Sequence, residues 1–220
     1  LGLKDSEKIR PGNFEALWMP RIGTRVDKVI YTDGAGHATR IAREARGYDG
    51  IAVIGGDGTV FEVLAGTGPE GPPLAIIPAG RGNCLALDLG VGTVPRALEA
   101  IARGAPVAVD LMALEVLFAD GRRGAYRAAS TLAVGYVARV VERARHLLPL
   151  GRYAYATAAV CTRPRRLHVE ARYGTEPPRC AELASIIINN TSYLANFRAF
   201  PRASFSDGLI DVLELDVGWA

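Results

Sequence analysis

The chain has 220 residues, 49% of them apolar, with a net charge of +3 carried mainly by arginine. That composition excludes a disordered chain, and the length admits one large domain or two small ones. The charge lacks the concentrated stripe of a nucleic-acid binder, and Cys84, Cys161 and Cys180 lack metal-ligand spacing, which argues against a zinc site or disulfide scaffold.

Leu1 to Arg10 is charged and has no apolar core, so no secretory signal is expected there. No run of about 18 apolar residues occurs, so no membrane-spanning helix is expected either. A reducing cytoplasm is the default compartment, with peripheral attachment to a membrane as an addition. The chain does not begin with Met, which fits either a fragment of a longer protein or its ordered part alone.

Val26 to Tyr31 reads as a strand, Thr32 to His37 as a glycine-containing turn and Ala38 to Arg46 as a helix. Ile51 to Ile54 is a short β-branched run, the pattern of a parallel strand covered on both faces. Gly55, Gly56 and Gly58 follow, with Asp57 and Thr59 where the next helix starts. Free amides and the helix dipole favour an anion at that place. The stretch therefore reads as a phosphate-binding turn, or as an ordinary strand-to-helix turn capped by Asp57 or Thr59. Leu74 to Ile77 is a second buried-strand run, and Pro78 to Asn83 a second glycine turn before a helix near Cys84. In an open parallel sheet both turns fall at carboxyl ends of strands, where ligands bind. Thr93 to Gly104 reads as a helix with Thr93 as N-cap, Pro95 in the first turn, and Ala97, Leu98 and Ile101 on one face.

After Pro106 the pattern changes. Val107 to Leu111 and Ala113 to Phe118 read as strands, Asp120-Gly121 as a hairpin turn and Tyr126 to Val134 as the return strand. Tyr136 to Leu148 is an amphipathic helix with Val137, Val140, Val141, Ala144 and Leu148 in one stripe. Tyr153 to Cys161 reads as a short helix, and Leu167 to Ala171 and Leu183 to Asn189 as strands. Arg163, Arg165 and Arg166 read as a solvated cluster, with lipid headgroups as the other reading. Asp207-Gly208 is a tight turn before a strand from Leu209 to Leu215. The expected fold is α/β: a parallel-sheet, Rossmann-like domain over 1–106 and a mainly antiparallel β-sandwich domain over 107–220, the latter truncated at its C-terminus.

Three stretches carry a family resemblance. Gly55 to Thr59 with Glu62-Val63 resembles the GGDGTxNEV signature of the diacylglycerol kinase catalytic family. Pro78 to Ala86 resembles its PxGTxNDxA motif, and Pro201 to Val212 its PxAxxxDGxLDV motif. The three stand in the family's order; the first alone is shared with NAD kinases and phosphofructokinase relatives. The resemblance implies a nucleotide domain of the NAD kinase and phosphofructokinase type, with a β-rich lipid-binding domain behind it. It implies a lipid kinase that moves the ATP γ-phosphate to a hydroxyl of diacylglycerol or a related lipid at a membrane surface. The alternatives are an NAD kinase-like enzyme and a non-catalytic nucleotide- or lipid-binding homologue. A homodimer is a further expectation.

By the same resemblance, Thr32, Gly55, Gly56, Asp57, Gly58, Thr59, Val60, Phe61, Glu62, Val63 and Arg81 are the expected ATP-site residues. Ser204, Asp207 and Leu209 are expected to hold a structural magnesium. Phe61 stands where the family has asparagine, Arg81 where it has threonine and Cys84 where it has aspartate. The family's NPxSG turn is absent from Leu1 to Ile22. Its acidic base lies in a segment beyond the third motif, so no catalytic residue is assigned in this chain. A guanidinium at position 81 reads as a phosphate ligand.

Overall fold

The computed structural model describes residues 25–117, 120–194 and 197–216. The region 1–22, where the NPxSG turn was sought, lies outside them. Two compact units emerge. The first comprises 1–130 with 190–209, and the second 131–189 with 210–220. These units divide the chain differently from a cut at 106/107.

In the first unit, α1 (His37–Arg43), β1 (Ile51–Gly55), α2 (Asp57–Thr67), β2 (Leu74–Pro78), α3 (Cys84–Asp88) and α4 (Val94–Arg103) follow one another. β1 and β2 pair in parallel, from Ile51 opposite Leu74 to Gly55 opposite Pro78. Strand alternation sends Val53 and Ile76 to one face and Ile54 and Ile77 to the other. Val53 and Ile76 pack with Ala38 and Ala42 of α1, Val60 and Val63 of α2, and Leu85 and Ala86 of α3. Ile77 is fully buried and packs with Val94, Ala97 and Leu98 of α4. Burial on both faces explains the continuous apolar run of β2, while in β1 Val53 is buried, Ile51 and Ile54 are half-buried and Ala52 is exposed. Burying one such side chain contributes about 1.5–3 kcal/mol.

Small residues let the helices close on one another. A Cβ on Gly66 would lie 2.4 Å from the Thr39 carbonyl oxygen and 2.6 Å from the Ala42 Cβ. Glycine at that point of α2 lets α1 lie against it, and Thr39 Oγ1 donates to the Glu62 carbonyl at 2.9 Å. α4 has the expected boundaries, with Thr93 at the N-cap, proline in the first turn and Gly104 left-handed at φ 61° as its C-cap.

Three expected strands differ. Val26 to Tyr31 is not a strand. Val26 and Val29, three apart, rest on the α4 cluster, so spacing that looked extended serves packing without a ladder. Val107 to Leu111 is irregular because its backbone bonds a distant loop: Asp110 N donates to the Phe205 carbonyl at 2.7 Å. The run Tyr126 to Val134 splits into β4 and β5. β3 (Met112–Leu117) and β4 (Arg123–Ala128) form an antiparallel hairpin of the first unit. Ala129 is buried in that unit's core, and Ser130 O accepts from Asn190 N.

The second unit holds β5 (Thr131–Gly135), α5 (Tyr136–His146), a 3-10 turn (Leu148–Tyr153), α6 (Ala154–Cys161), β6 (Leu167–Ala171), β7 (Arg179–Asn189) and β8 (Asp211–Asp216). β7 is the long central strand. β5, β6 and β8 all pair with it antiparallel, with an irregularity against β8 between Leu183 and Ser185. α5 and α6 pack through Val140, Ala144 and Ala158, and Tyr136 OH donates to the Ala159 carbonyl at 2.9 Å. The described chain is thus α/β with a parallel sheet in one unit and a separate antiparallel sheet in the other.

Candidate nucleotide site

All the sequence-predicted site residues fall in the first unit. The parallel pairing of β1 with β2 brings the two glycine turns side by side, and Ala79 N donates to the Gly55 carbonyl at 3.0 Å. A Cβ built on Gly80 would lie 2.4 Å from Gly56 Cα and 2.8 Å from Asn83 Oδ1. The turns touch backbone to backbone: glycine at position 80 is a steric requirement, and a Cβ on Gly56 would lie 3.0 Å from the Gly80 Cα, a tight approach. Gly55 is required for a different reason: its Cβ would strike the Thr59 side chain at 2.6 Å from Oγ1.

Asn83 sets the second turn. It is left-handed at φ 52°, a conformation asparagine tolerates better than most side chains. Its Oδ1 accepts from Gly80 N at 3.0 Å, and its Nδ2 donates to the Gly80 carbonyl at 2.9 Å. That pair of bonds closes a loop around Arg81 and leaves the Arg81 side chain exposed. Arg81 makes no ion pair among the described residues.

The first turn of α2 begins at Asp57. The Gly56 carbonyl accepts from Thr59 N at 3.0 Å and Val60 N at 3.1 Å. The amides of Asp57 and Gly58 have no intrahelical acceptor, as at any helix start. A Cβ on Gly58 would meet nothing within 4 Å, so the backbone there is open to approach. Asp57 Oδ1 lies 3.5 Å from Leu85 N, which places the carboxylate beside the start of α3, between the two turns. Val60 and Val63 are buried in the core and so support the turn from behind, while Glu62 lends its carbonyl to Thr39. Phe61 stacks on Tyr126 of β4, with centroids 6.4 Å apart and planes 23° from parallel. Thr32 is exposed in the coil before α1 and forms no hydrogen bond with either glycine turn among the described residues.

Ser204, Asp207 and Leu209 share one loop. Asp207 Oδ1 accepts from Leu209 N at 3.0 Å, and Ser204 Oγ accepts from Ser206 N at 3.3 Å. Asp110, which sequence reading passed over, clamps this loop. Its Oδ2 accepts from Gly208 N at 2.7 Å, and its own carbonyl accepts from Asn190 Nδ2 at 2.9 Å. Asp88 was also missed; its Oδ2 accepts from Ser192 N at 2.5 Å. These partners lie about a hundred residues away in sequence, and no local pattern announces such a pair. The oxygen-only donor chemistry around Asp207 suits a hard cation. Among the described residues, no three His, Cys, Asp or Glu side chains converge as a metal cluster.

Residues 22–114 match the diacylglycerol kinase catalytic domain. A diacylglycerol kinase of Mycobacterium tuberculosis (strain ATCC 25618 / H37Rv) is 34% identical over 200 residues, covering 85% of this chain and 62% of the relative. Sphingoid long chain base kinase 4 of Schizosaccharomyces pombe is 35% identical over 99 residues, covering 40% of this chain and 21% of that protein. The crystal structure of a diacylglycerol kinase from Bacillus anthracis str. Sterne aligns with a TM-score of 0.64 at 28% identity, covering 85% of this chain and 61% of that one. This chain spans about six tenths of the length of the mycobacterial and anthrax proteins. With two glycine turns joined across a parallel strand pair, residues 22–114 carry the match to the diacylglycerol kinase catalytic domain, and over 85% of its length the chain is similar to a diacylglycerol kinase.

Proposed function

We propose that the chain carries the nucleotide site of a lipid kinase that uses ATP and magnesium and phosphorylates a hydroxyl of diacylglycerol or a related lipid. The observation that carries this reading is the contact of the Gly56 and Gly80 turns at the ends of β1 and β2. Phosphoryl transfer depends on positioning and on charge stabilisation around the phosphates. The open amides of Asp57 and Gly58 offer donors to phosphate oxygens. Arg81 adds a fixed positive charge from the adjoining turn. A bound magnesium would neutralise phosphate charge, and Asp57 is the carboxylate placed to hold it, directly or through water. Asp207, with its loop clamped by Asp110, would hold a second, structural cation. The lipid is read from the names of the relatives, among which diacylglycerol and sphingoid base kinases both occur.

The test pairs binding with turnover on the full-length gene product. Calorimetry should show magnesium-dependent ATP binding that Asp57→Ala weakens far more than it lowers the melting temperature. Labelled ATP should transfer phosphate to diacylglycerol or sphingosine presented in micelles. Phosphate appearing on NAD, and on no lipid hydroxyl, would replace this reading with the NAD kinase one. ATP binding unchanged in a folded Asp57→Ala protein would remove the site assignment.

A further inference from the structure

The first unit carries an aromatic pair beside the glycine turns that the phosphate site leaves unused. Phe61 comes four residues after Asp57, so the two lie on one side of α2, a turn apart. Tyr126 of β4 stacks on the Phe61 ring, with centroids 6.4 Å apart and planes within 23° of parallel. Strand alternation puts Tyr126 and Gly124 on one face of the β3–β4 hairpin, beside their partners Leu114 and Val116. Leu114, Val116 and Gly124 are half-buried, and the Phe61 contact shows that this face meets α2. Arg123, Ala125 and Arg127 on the other face are exposed.

The Tyr126 ring is held in place and still open. A Cβ on Gly124 would lie 2.6 Å from its Cε2 and 2.8 Å from its hydroxyl oxygen, so that edge of the ring rests beside Gly124. One face lies on Phe61. The 38% exposure that remains belongs to the sides these two leave open. A side chain already fixed by its neighbours has little rotamer freedom left to lose when a ligand binds. The ring is also within a nucleotide's length of the turns. About 6 Å along α2 separates Asp57 from Phe61, and 6.4 Å separates the Phe61 ring from that of Tyr126. The α-phosphate and ribose of a nucleotide span such a gap when its outer phosphates lie on the α2 amides.

We propose that Tyr126 is the base-stacking residue of the nucleotide site, held by Phe61, and that this contact selects purine over pyrimidine nucleotides. It rests on the nucleotide-site reading above and adds to it the group that meets the base. A base on the open side of Tyr126 would extend a stack that the two rings have begun. Stacking reads ring area rather than the donors and acceptors at a base's edge. The contact therefore favours a two-ring base over a one-ring base and does not itself separate adenine from guanine. An asparagine at position 61 would offer no ring to hold Tyr126, so the stack depends on this chain's own phenylalanine.

The test is calorimetry of the full-length gene product with magnesium and, in turn, ATP, CTP and inorganic tripolyphosphate. Tyr126→Leu keeps an apolar side chain against Phe61 and removes the ring. It should weaken ATP binding about tenfold, CTP binding less, and tripolyphosphate binding not at all. Tyr126→Phe keeps the ring and should keep all these affinities. Equal losses on every ligand would show that Tyr126 only holds the hairpin, and unchanged ATP affinity in Tyr126→Leu would show that the base lies elsewhere; either overturns the proposal. So would an effect of Tyr126→Leu confined to the KM for lipid. Should Tyr126→Leu fold poorly, the parent protein supplies a second reading, in which ATP must bind tighter than CTP; equal or reversed affinities would overturn the proposal as well. Tripolyphosphate separates the two readings. If it fails to bind the parent, the phosphate cradle fails and the stack falls with it. If it binds and Tyr126→Leu leaves ATP affinity unchanged, the stack alone fails.

Discussion

Replacing Gly58 by alanine separates a structural glycine from one kept open for a ligand. Gly58 is the second residue of α2, has no left-handed φ, and a Cβ there would meet no atom within 4 Å. The protein alone therefore gains from the change, since alanine has less freedom to lose than glycine. The gain is about 0.4–1 kcal/mol, or roughly 1–4 °C in melting temperature for a chain of this size. A phosphate lying on the α2 amides would meet the new methyl group. ATP–magnesium affinity should then fall at least about tenfold, a loss near 1.4 kcal/mol. The signature is a pair of opposite signs, a higher melting temperature without ligand and weaker ATP binding by calorimetry. Gly80→Ala is the contrast. Its methyl would sit 2.4 Å from Gly56 Cα, so the unliganded protein itself should lose about 1–3 kcal/mol from overpacking. A Gly58→Ala protein with a raised melting temperature and unchanged ATP affinity would show that the space above α2 is ordinary solvent and would refute the cradle.

Three further outcomes are expected. Arg81→Thr, which installs the residue usual in the family, should weaken ATP binding about tenfold; tighter binding would show that Arg81 obstructs the site. Chelator should lower the melting temperature of the parent protein in magnesium buffer, and Asp207→Ala should remove that dependence; identical melting with and without chelator would rule out the structural cation. Glu214 accepts from Arg179 and from Tyr173 OH, and these bonds, the Arg179 bond foremost, hold its carboxyl below its usual range. Its stabilisation is present above the unfolded carboxylate pKa near 4.5 and is lost as pH falls through the lower folded value. Glu214→Gln should cost stability at neutral pH and flatten the acid limb of a melting-temperature profile; an unchanged acid limb would show that the Tyr173–Glu214–Arg179 group plays no part in it.

The sequence made local elements legible where pattern and packing agreed. Leu74 to Ile77 was readable because burial on both faces writes an unbroken apolar run, and Ile51 to Ile54 because its β-branched residues pack on both sides of the same strand pair. The helix from Thr93 was readable because its N-cap, first-turn proline and C-cap glycine are all local. Val26 to Tyr31 and Val107 to Leu111 were misread because an apolar run says nothing about what the backbone bonds to. The first packs on α4, and the second bonds the loop at Phe205. The 129–130 break inside Tyr126 to Val134 was hidden for a similar reason: neither side carries a turn signal, and only Ala129's place in the first core marks it. The loop clamp was invisible because Asp110 and Gly208 lie 98 positions apart.

The departures from the family pattern divide on the same physical ground. Phe61 replaces an amide by a ring, and the structure gives that ring a partner in Tyr126. A Cβ on Gly124 would fall within 2.6 Å of the same tyrosine ring, so β4 keeps a glycine where the ring lies. Phe61, Tyr126 and Gly124 thus form one packing unit that ties α2 to the β3–β4 hairpin, and Phe61 is accounted for by packing alone. Arg81 has no such partner among the described residues. It is exposed on a turn that Asn83 holds closed and that touches the Asp57 turn through Gly80 and Gly56. Arginine is costly to order, and it is used where a planar anion repays that cost. An anion is the partner we propose for Arg81, and the Arg81→Thr measurement tests it, whereas Phe61 already has the ring of Tyr126.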